Sequence, residues 1–189
     1  MSIAAQGAPV ARHAPNTGAH RRRLFVLLTA LGLALTVALS QVTVVAAGGG
    51  GGDAEPAKGS QAAAILRMVR DALGHPFRLG TEGPKYFDCS GLVWSVYKRA
   101  GAAGRIGGVR GTVTRYYVWA QRHNKISRRN PQIGDVVIWG KHGRVRHSGI
   151  YIGNGRAISA LNPRLGVRSH GINAIGFRVF GFIHTGISH

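Results

Sequence analysis

The stretch YFDCSGLVWSVYKRAG, residues 86–101, holds the only cysteine of the chain, Cys89, and runs straight into a helical pattern. Asp88 has the short acceptor side chain of an N-cap, so Cys89 is expected in the first turn of a helix. Leu92, Val93, Val96, Tyr97 and Ala100 recur at helical spacing, and Gly101 ends the run. Backbone N–H groups at a helix start point at such a sulfur, and the helix dipole there favours the thiolate. Cys89, Val93 and Val96 share roughly one face, which places the sulfur at the edge of a core. That position suits a nucleophile, and it equally suits a buried structural cysteine.

Working outward, Ile65, Met68, Val69, Ala72 and Leu73 mark the apolar face of an earlier helix, stopped by Gly74 and Pro76. TVTRYYVWAQRH (112–123) predicts a third helix. Beyond NPQIGD (130–135) the pattern turns extended: VVIW (136–139), HSGIYI (147–152), RAISAL (156–161), GVRSHGI (166–172) and GFRVFGFIH (176–184). These runs are short, β-branched or aromatic, and punctuated by Gly and Asn. Helices first and an antiparallel sheet after them predict an α+β domain, with N-terminal helices packed on the sheet.

That domain is expected at 60–189, within a chain of 189 residues that has room for one core. Residues 1–47 hold HRRR before a long apolar run, strongest over 24–39, and then Ala46 and Ala47. This is the pattern of an export signal or an uncleaved membrane anchor. Residues 48–59 open with five glycines and read as a flexible linker. The formal charge is +19, from 25 basic and 6 acidic side chains. Without residues 1–47 there remain 21 basic against 6 acidic groups, or +15. Anionic partners follow from such a balance. No Arg/Lys-rich block with interleaved aromatics marks the second half, so sequence-specific nucleic-acid binding is not expected. A single cysteine makes no internal disulfide, and no HExxH or CxxC pair offers a structural metal site; no cofactor is implied.

A thiol nucleophile needs a base from elsewhere in the chain. His147 is the best candidate, because it opens the segment HSGIYIGNG and nearby glycines leave room for another backbone. FDCSGLVWSVYKRAG, followed downstream by IGDVVIW and HSGIYIGNGRAISA, resembles the NlpC-type cell-wall peptidases, papain-like cysteine peptidases of bacterial envelopes. The resemblance runs from about Ser60 to the end of the chain. It implies a papain-like domain with Cys89 as nucleophile and His147 as base. It also implies hydrolysis of peptide bonds in the peptidoglycan stem, commonly the one joining D-glutamate to the diamino acid. Partners would be peptidoglycan and anionic wall polymers, with a secreted or envelope location and membrane contact only through the N-terminal segment.

Two positions depart from the family pattern. A polar residue, most often histidine, lies twelve positions after the base; here it is Ser159. A tyrosine of the family's PY segment is matched by Phe77. Strand geometry leaves the orienting partner open. A three-residue turn at 153–155 puts position 149 opposite 159, with 147, 149 and 159 on one surface. A two-residue turn puts His147 opposite Asn162. Ser159 follows the family spacing, Asn162 is the fallback, and His170 on the next strand is a third option. Ser159 is expected to accept a hydrogen bond from Nδ1 of the imidazole. Rival readings are a wall-binding module with weakened catalysis, for which Ser159 and Phe77 speak, and an amidase or acyltransferase on another envelope substrate.

Overall fold

The computed structural model describes residues 55–189. The segment assigned to an export signal or anchor (1–47), and residues 48–54 of the linker, lie outside the described residues. Helix α1 is Gln61–Asp71, α2 Cys89–Arg99 and α3 Val113–Arg122, with a single 3₁₀ turn at Ala103–Ile106. Six strands follow: β1 Ile126–Ser127, β2 Val136–Lys141, β3 Arg144–Tyr151, β4 Arg156–Ala160, β5 Val167–Gly171 and β6 Arg178–Ile183. They form one antiparallel sheet in the order β1-β6-β2-β3-β4-β5. The α+β expectation holds. None of the described helices is long and apolar enough to cross a membrane.

Each helix starts where a side chain satisfies an N–H that the first turn leaves unpaired. Ser60 Oγ accepts from Ala63 N at 3.1 Å, Asp88 Oδ1 from Gly91 N at 2.6 Å, and Thr112 Oγ1 from Arg115 N at 3.3 Å. Helix α1 stops earlier than its apolar pattern suggests. Ala72 caps it, and Leu73 lies beyond the end with 41% of its surface exposed. Gly74, at φ +83°, takes the left-handed turn that a β-carbon would disfavour.

The sheet has two apolar faces. Ile138, Ile150, Ile158 and Ile183 pack against Ile65, Val69, Leu92, Val93, Val96 and Tyr97 of the helices. On the other face, Val137, Trp139, Tyr151, Ala157 and Phe182 make a smaller core, joined by Ile172, Ile175, Phe177 and Val179. Successive residues of β3 therefore alternate, with Ile150 toward the helices and Tyr151 toward the smaller core.

Two irregularities meet at Trp139. Between Trp139 and Gly140, strand β3 carries an extra residue, Arg146, and strand β6 carries an extra residue, Phe180, between Ile138 and Trp139. Such bulges twist a strand and re-aim the next side chain, here His147. His147 lies inside β3, which begins at Arg144, rather than opening the strand as the sequence pattern suggested.

The β3–β4 pairing matches Ile150 with Ile158 and Tyr151 with Ala157, so the next step puts Gly149 opposite Ser159. This is the register of the three-residue turn. A β-carbon on Gly149 would lie 2.7 Å from the Ile158 carbonyl oxygen and 2.8 Å from Ser159 Cβ. Only glycine lets the two strands close at this point. Gly149→Ala is expected to destabilise the domain by about 1–3 kcal/mol through overpacking, read as a lower urea midpoint at unchanged slope.

Candidate active site

Cys89 is the first residue of α2, and the loop before it is locked to the helix start. The Asp88 carboxylate is buried and accepts from Gly80 N at 2.7 Å, Gly91 N at 2.6 Å and Ser90 Oγ at 2.9 Å. Arg110 closes this cluster. Its Nη2 lies 3.2 Å from Asp88 Oδ2, Nη1 donates to Ser90 Oγ at 3.1 Å, and Nε donates to Glu82 at 2.9 Å. A buried carboxylate needs such pairing to remain charged. At Gly91 a β-carbon would lie 2.0 Å from the Thr81 carbonyl oxygen, so glycine permits the loop to seat against the first helical turn.

The thiol is half-buried and meets the β3 main chain at Ser148, the residue after His147. The sulfur thus reaches the residue that follows His147 along β3. Burial pushes the Cys89 thiol up from its ordinary value, and the neighbouring Asp88 carboxylate adds to that. Backbone hydrogen bonds from Ser148 and Ser90 act in the opposite sense without prevailing. The helix start therefore favours the thiolate as its dipole should, yet desolvation outweighs it and the thiol stays protonated. Ser148 Oγ is fully buried with no partner at hydrogen-bond geometry; the group that it faces is the Cys89 sulfur.

His147 points to the smaller core and is buried. Its Nε2 lies 2.9 Å from Ser159 Oγ. Ser159 is itself buried, and its Oγ lies 2.7 Å from His170 Nε2. His170 Nδ1 lies 3.0 Å from the Gly171 carbonyl oxygen. The partner of Ser159 is thus Nε2 and not the Nδ1 expected from the sequence, which leaves Nδ1 as the unengaged ring nitrogen of His147. Trp139 stands 5.4 Å from the His147 ring and 5.6 Å from that of His170, and Phe177 stacks on His147 at 6.2 Å. This aromatic cover dries the site. Burial lowers the His147 pKa to about 4, with repulsion from His170 as a lesser cause.

Ser159 and His170 are thus both tied to His147, one behind the other. Asn162 is not: it is exposed, and its Oδ1 caps a turn by accepting from Arg164 N and Leu165 N, each at 3.0 Å. Phe77 pairs with Phe87 in an isolated bridge just before the cysteine and brings no hydroxyl there. The roles of Trp139, Phe177, Arg110 and Ser148 have no signal in spacing. Each depends on which elements the fold brings together.

Residues 74–181 match the NlpC/P60 family, and the chain belongs to it. This is a family of cell-wall peptidases. The chain is similar to a "Probable endopeptidase p60" of Listeria grayi, 31% identical over 120 residues, which cover 64% of this chain and 22% of that one. It is 30% identical over 129 residues to a probable endopeptidase of Corynebacterium glutamicum, covering 66% and 57%. Over 119 residues it is 34% identical to the murein DD-endopeptidase MepH of Escherichia coli, covering 60% and 41%. The chain spans less than two thirds of the length of each of these relatives. Among solved structures, NlpC2 of Trichomonas vaginalis superposes with a TM-score of 0.55 at 25% identity, covering 66% of this chain and 46% of that one. The NlpC/p60 domain of the peptidoglycan hydrolase SagA gives 0.50 at 28% identity, covering 62% and 95%. These neighbours carry the papain-like α+β domain.

With the thiol protonated at rest, alkylation of Cys89 by iodoacetamide is expected to be slow at pH 6 and to rise about tenfold per pH unit toward pH 9. A rate at pH 6 already near its plateau would reveal a thiolate. Removing the hydroxyl that faces the sulfur by Ser148→Ala is expected to slow alkylation of Cys89 at any given pH.

Proposed function

We propose that this protein is an exported cysteine peptidase that hydrolyses peptide bonds in peptidoglycan stem peptides. The observation that carries the proposal is that the helix-start cysteine meets β3 at the residue next to a tethered imidazole. His147 is held at Nε2, and the thiol lies against the next residue of its strand. Nδ1 of neutral His147 takes the proton of Cys89, and the sulfur attacks the scissile carbonyl. The backbone N–H of Cys89, at the start of α2, is placed to meet the oxyanion. The imidazolium then protonates the leaving amine, and water attacks the thioester to release the acid and restore the thiol. Ser159 keeps the ring in place through these proton transfers.

The charge of the chain supports an anionic polymer as substrate surface. The 21 basic side chains beyond residue 47 favour stem carboxylates and wall phosphates, an attraction that salt weakens. The N-terminal export pattern supports a location where such a polymer is met. The endopeptidase names of the relatives support peptide-bond hydrolysis over transfer to other acceptors.

Cys89→Ala is expected to abolish release of stem-peptide fragments from purified peptidoglycan, followed by mass spectrometry, while the thermal midpoint stays close to that of the parent. Retained release would end the proposal. Because burial holds His147 at about 4, its base form persists as pH falls through 6.5. The acid limb of kcat/KM is therefore expected well below pH 6.5, and a limb at or above 6.5 would contradict a buried neutral base.

A further inference from the structure

A serine beside a histidine does not by itself choose a tautomer. Its hydroxyl has one proton and two lone pairs, so it donates to a bare Nε2 as readily as it accepts from a protonated one. In this protein that ambiguity has a consequence. If Ser159 donated to Nε2 of neutral His147, the ring proton would sit on Nδ1, where a lone pair is needed to take the thiol proton. Something must set the direction of the Ser159 hydroxyl.

We propose that His170 is a positioning residue for catalysis: by fixing the direction of the Ser159 hydroxyl, it holds His147 in the Nε2–H tautomer and keeps Nδ1 bare. The reasoning starts at the far end of the chain of contacts and rests on the peptidase reading above only for the last step. The Gly171 carbonyl, 3.0 Å from His170 Nδ1, can only accept, so that nitrogen carries the proton. In a neutral ring Nε2 is then a lone pair, and Ser159 Oγ, 2.7 Å away, must donate to it. With its one proton so committed, Ser159 can only accept from His147 Nε2 at 2.9 Å. The reversed arrangement fails at its origin, because it would set the bare Nδ1 of His170 against the lone pairs of the Gly171 oxygen.

The surroundings favour this neutral chain. His170 is half-buried, and burial lowers its pKa against the opposing effect of the hydrogen bond to Gly171, with the nearby Arg156 guanidinium a lesser lowering cause. Trp139 packs against both imidazole rings, which keeps water from replacing either link. The strands also set the spacing. In the β4–β5 pairing, Ala157 faces His170 and Ser159 faces Arg168, so His170 is diagonal to Ser159 on the same surface. A backbone carbonyl thus determines, through two side chains, which nitrogen of the base is free.

The test separates tautomer from turnover. With ¹⁵N-histidine in the full chain carrying Cys89→Ala, long-range ¹H–¹⁵N correlation at pH 7 is expected to show His147 as Nε2–H and His170 as Nδ1–H. His147 as Nδ1–H, or His170 as Nε2–H, overturns the proposal without any variant at 170. His170→Phe keeps a ring against Trp139 but offers no acceptor. It is expected to raise the Nδ1–H population of His147 and to lower kcat about tenfold or more, with KM nearly unchanged. His170→Gln, which can place an oxygen near the lost Nε2, is expected to restore most of the Nε2–H population and of kcat. Unchanged tautomer and kcat in His170→Phe would overturn the relay while leaving the Cys89–His147 reading standing. Activity surviving in Cys89→Ala would overturn that reading and leave the tautomer result intact.

Discussion

The hydrogen bond between His147 Nε2 and Ser159 Oγ joins β3 to β4 across the smaller core, and the chemistry proposed for the domain depends on it. It exists only in one strand register. A slip by one residue would send Ser159 to the helix side of the sheet and strand the imidazole among aromatic rings. Three local features exclude that slip. The turn at 153–155 sets the pairing, Gly149 lets the strands close, and the bulge at Arg146 re-aims the residue after it. The bond is worth little as a stabilising contact. Its value is geometric, since it decides which face of the imidazole ring is left to do chemistry.

The site is electrically quiet inside a strongly basic molecule. Burial disfavours charge on both reacting groups, raising the thiol and lowering the imidazole, so the resting pair is neutral. In the proposed reaction charge appears only when the proton moves, and sulfur and imidazole then carry opposite charges that stabilise each other. The Asp88 carboxylate beside the thiol is paired with Arg110 and saturated by backbone and hydroxyl donors. Its first task is structural: it caps α2 and fastens the loop that delivers Cys89. In the proposed function the basic exterior acts at long range on an anionic polymer and has no part in the bond-making step.

Much of this was legible in the sequence because it rests on local rules. Asp88 before an apolar helical face fixes the start of α2, and short β-branched or aromatic runs mark five of the strands. The pairing of His147 with Ser159 follows from the resemblance to the family, whose polar residue lies twelve positions after the base, and one of the two hairpin turns open to the sequence agrees with it. What was hidden depends on contacts between distant segments. Strand β1 has two residues and no periodicity of its own, and exists only as an edge on β6. The balance that keeps the thiol protonated comes from the depth at which α2 seats against β3, whereas a helix start read alone favours the thiolate. The meeting of Ser159 with Nε2 rather than Nδ1 likewise belongs to the packed site, where Trp139 and Phe177 lie against the ring. His170 stood as an alternative to Ser159 along the sequence; in the fold the two act in series.

The central claim is that the Cys89 sulfur and Nδ1 of His147 come within reach of each other in the folded protein. A short bifunctional alkylating agent, 1,3-dibromoacetone, measures this directly, because its first arm selects the thiol and its second captures only an adjacent nucleophile. Peptide mapping by mass spectrometry is predicted to find one three-carbon bridge linking Cys89 to His147, absent from His147→Ala and from urea-unfolded protein. Modification confined to Cys89, with the second arm hydrolysed or joined to another residue, would contradict the account.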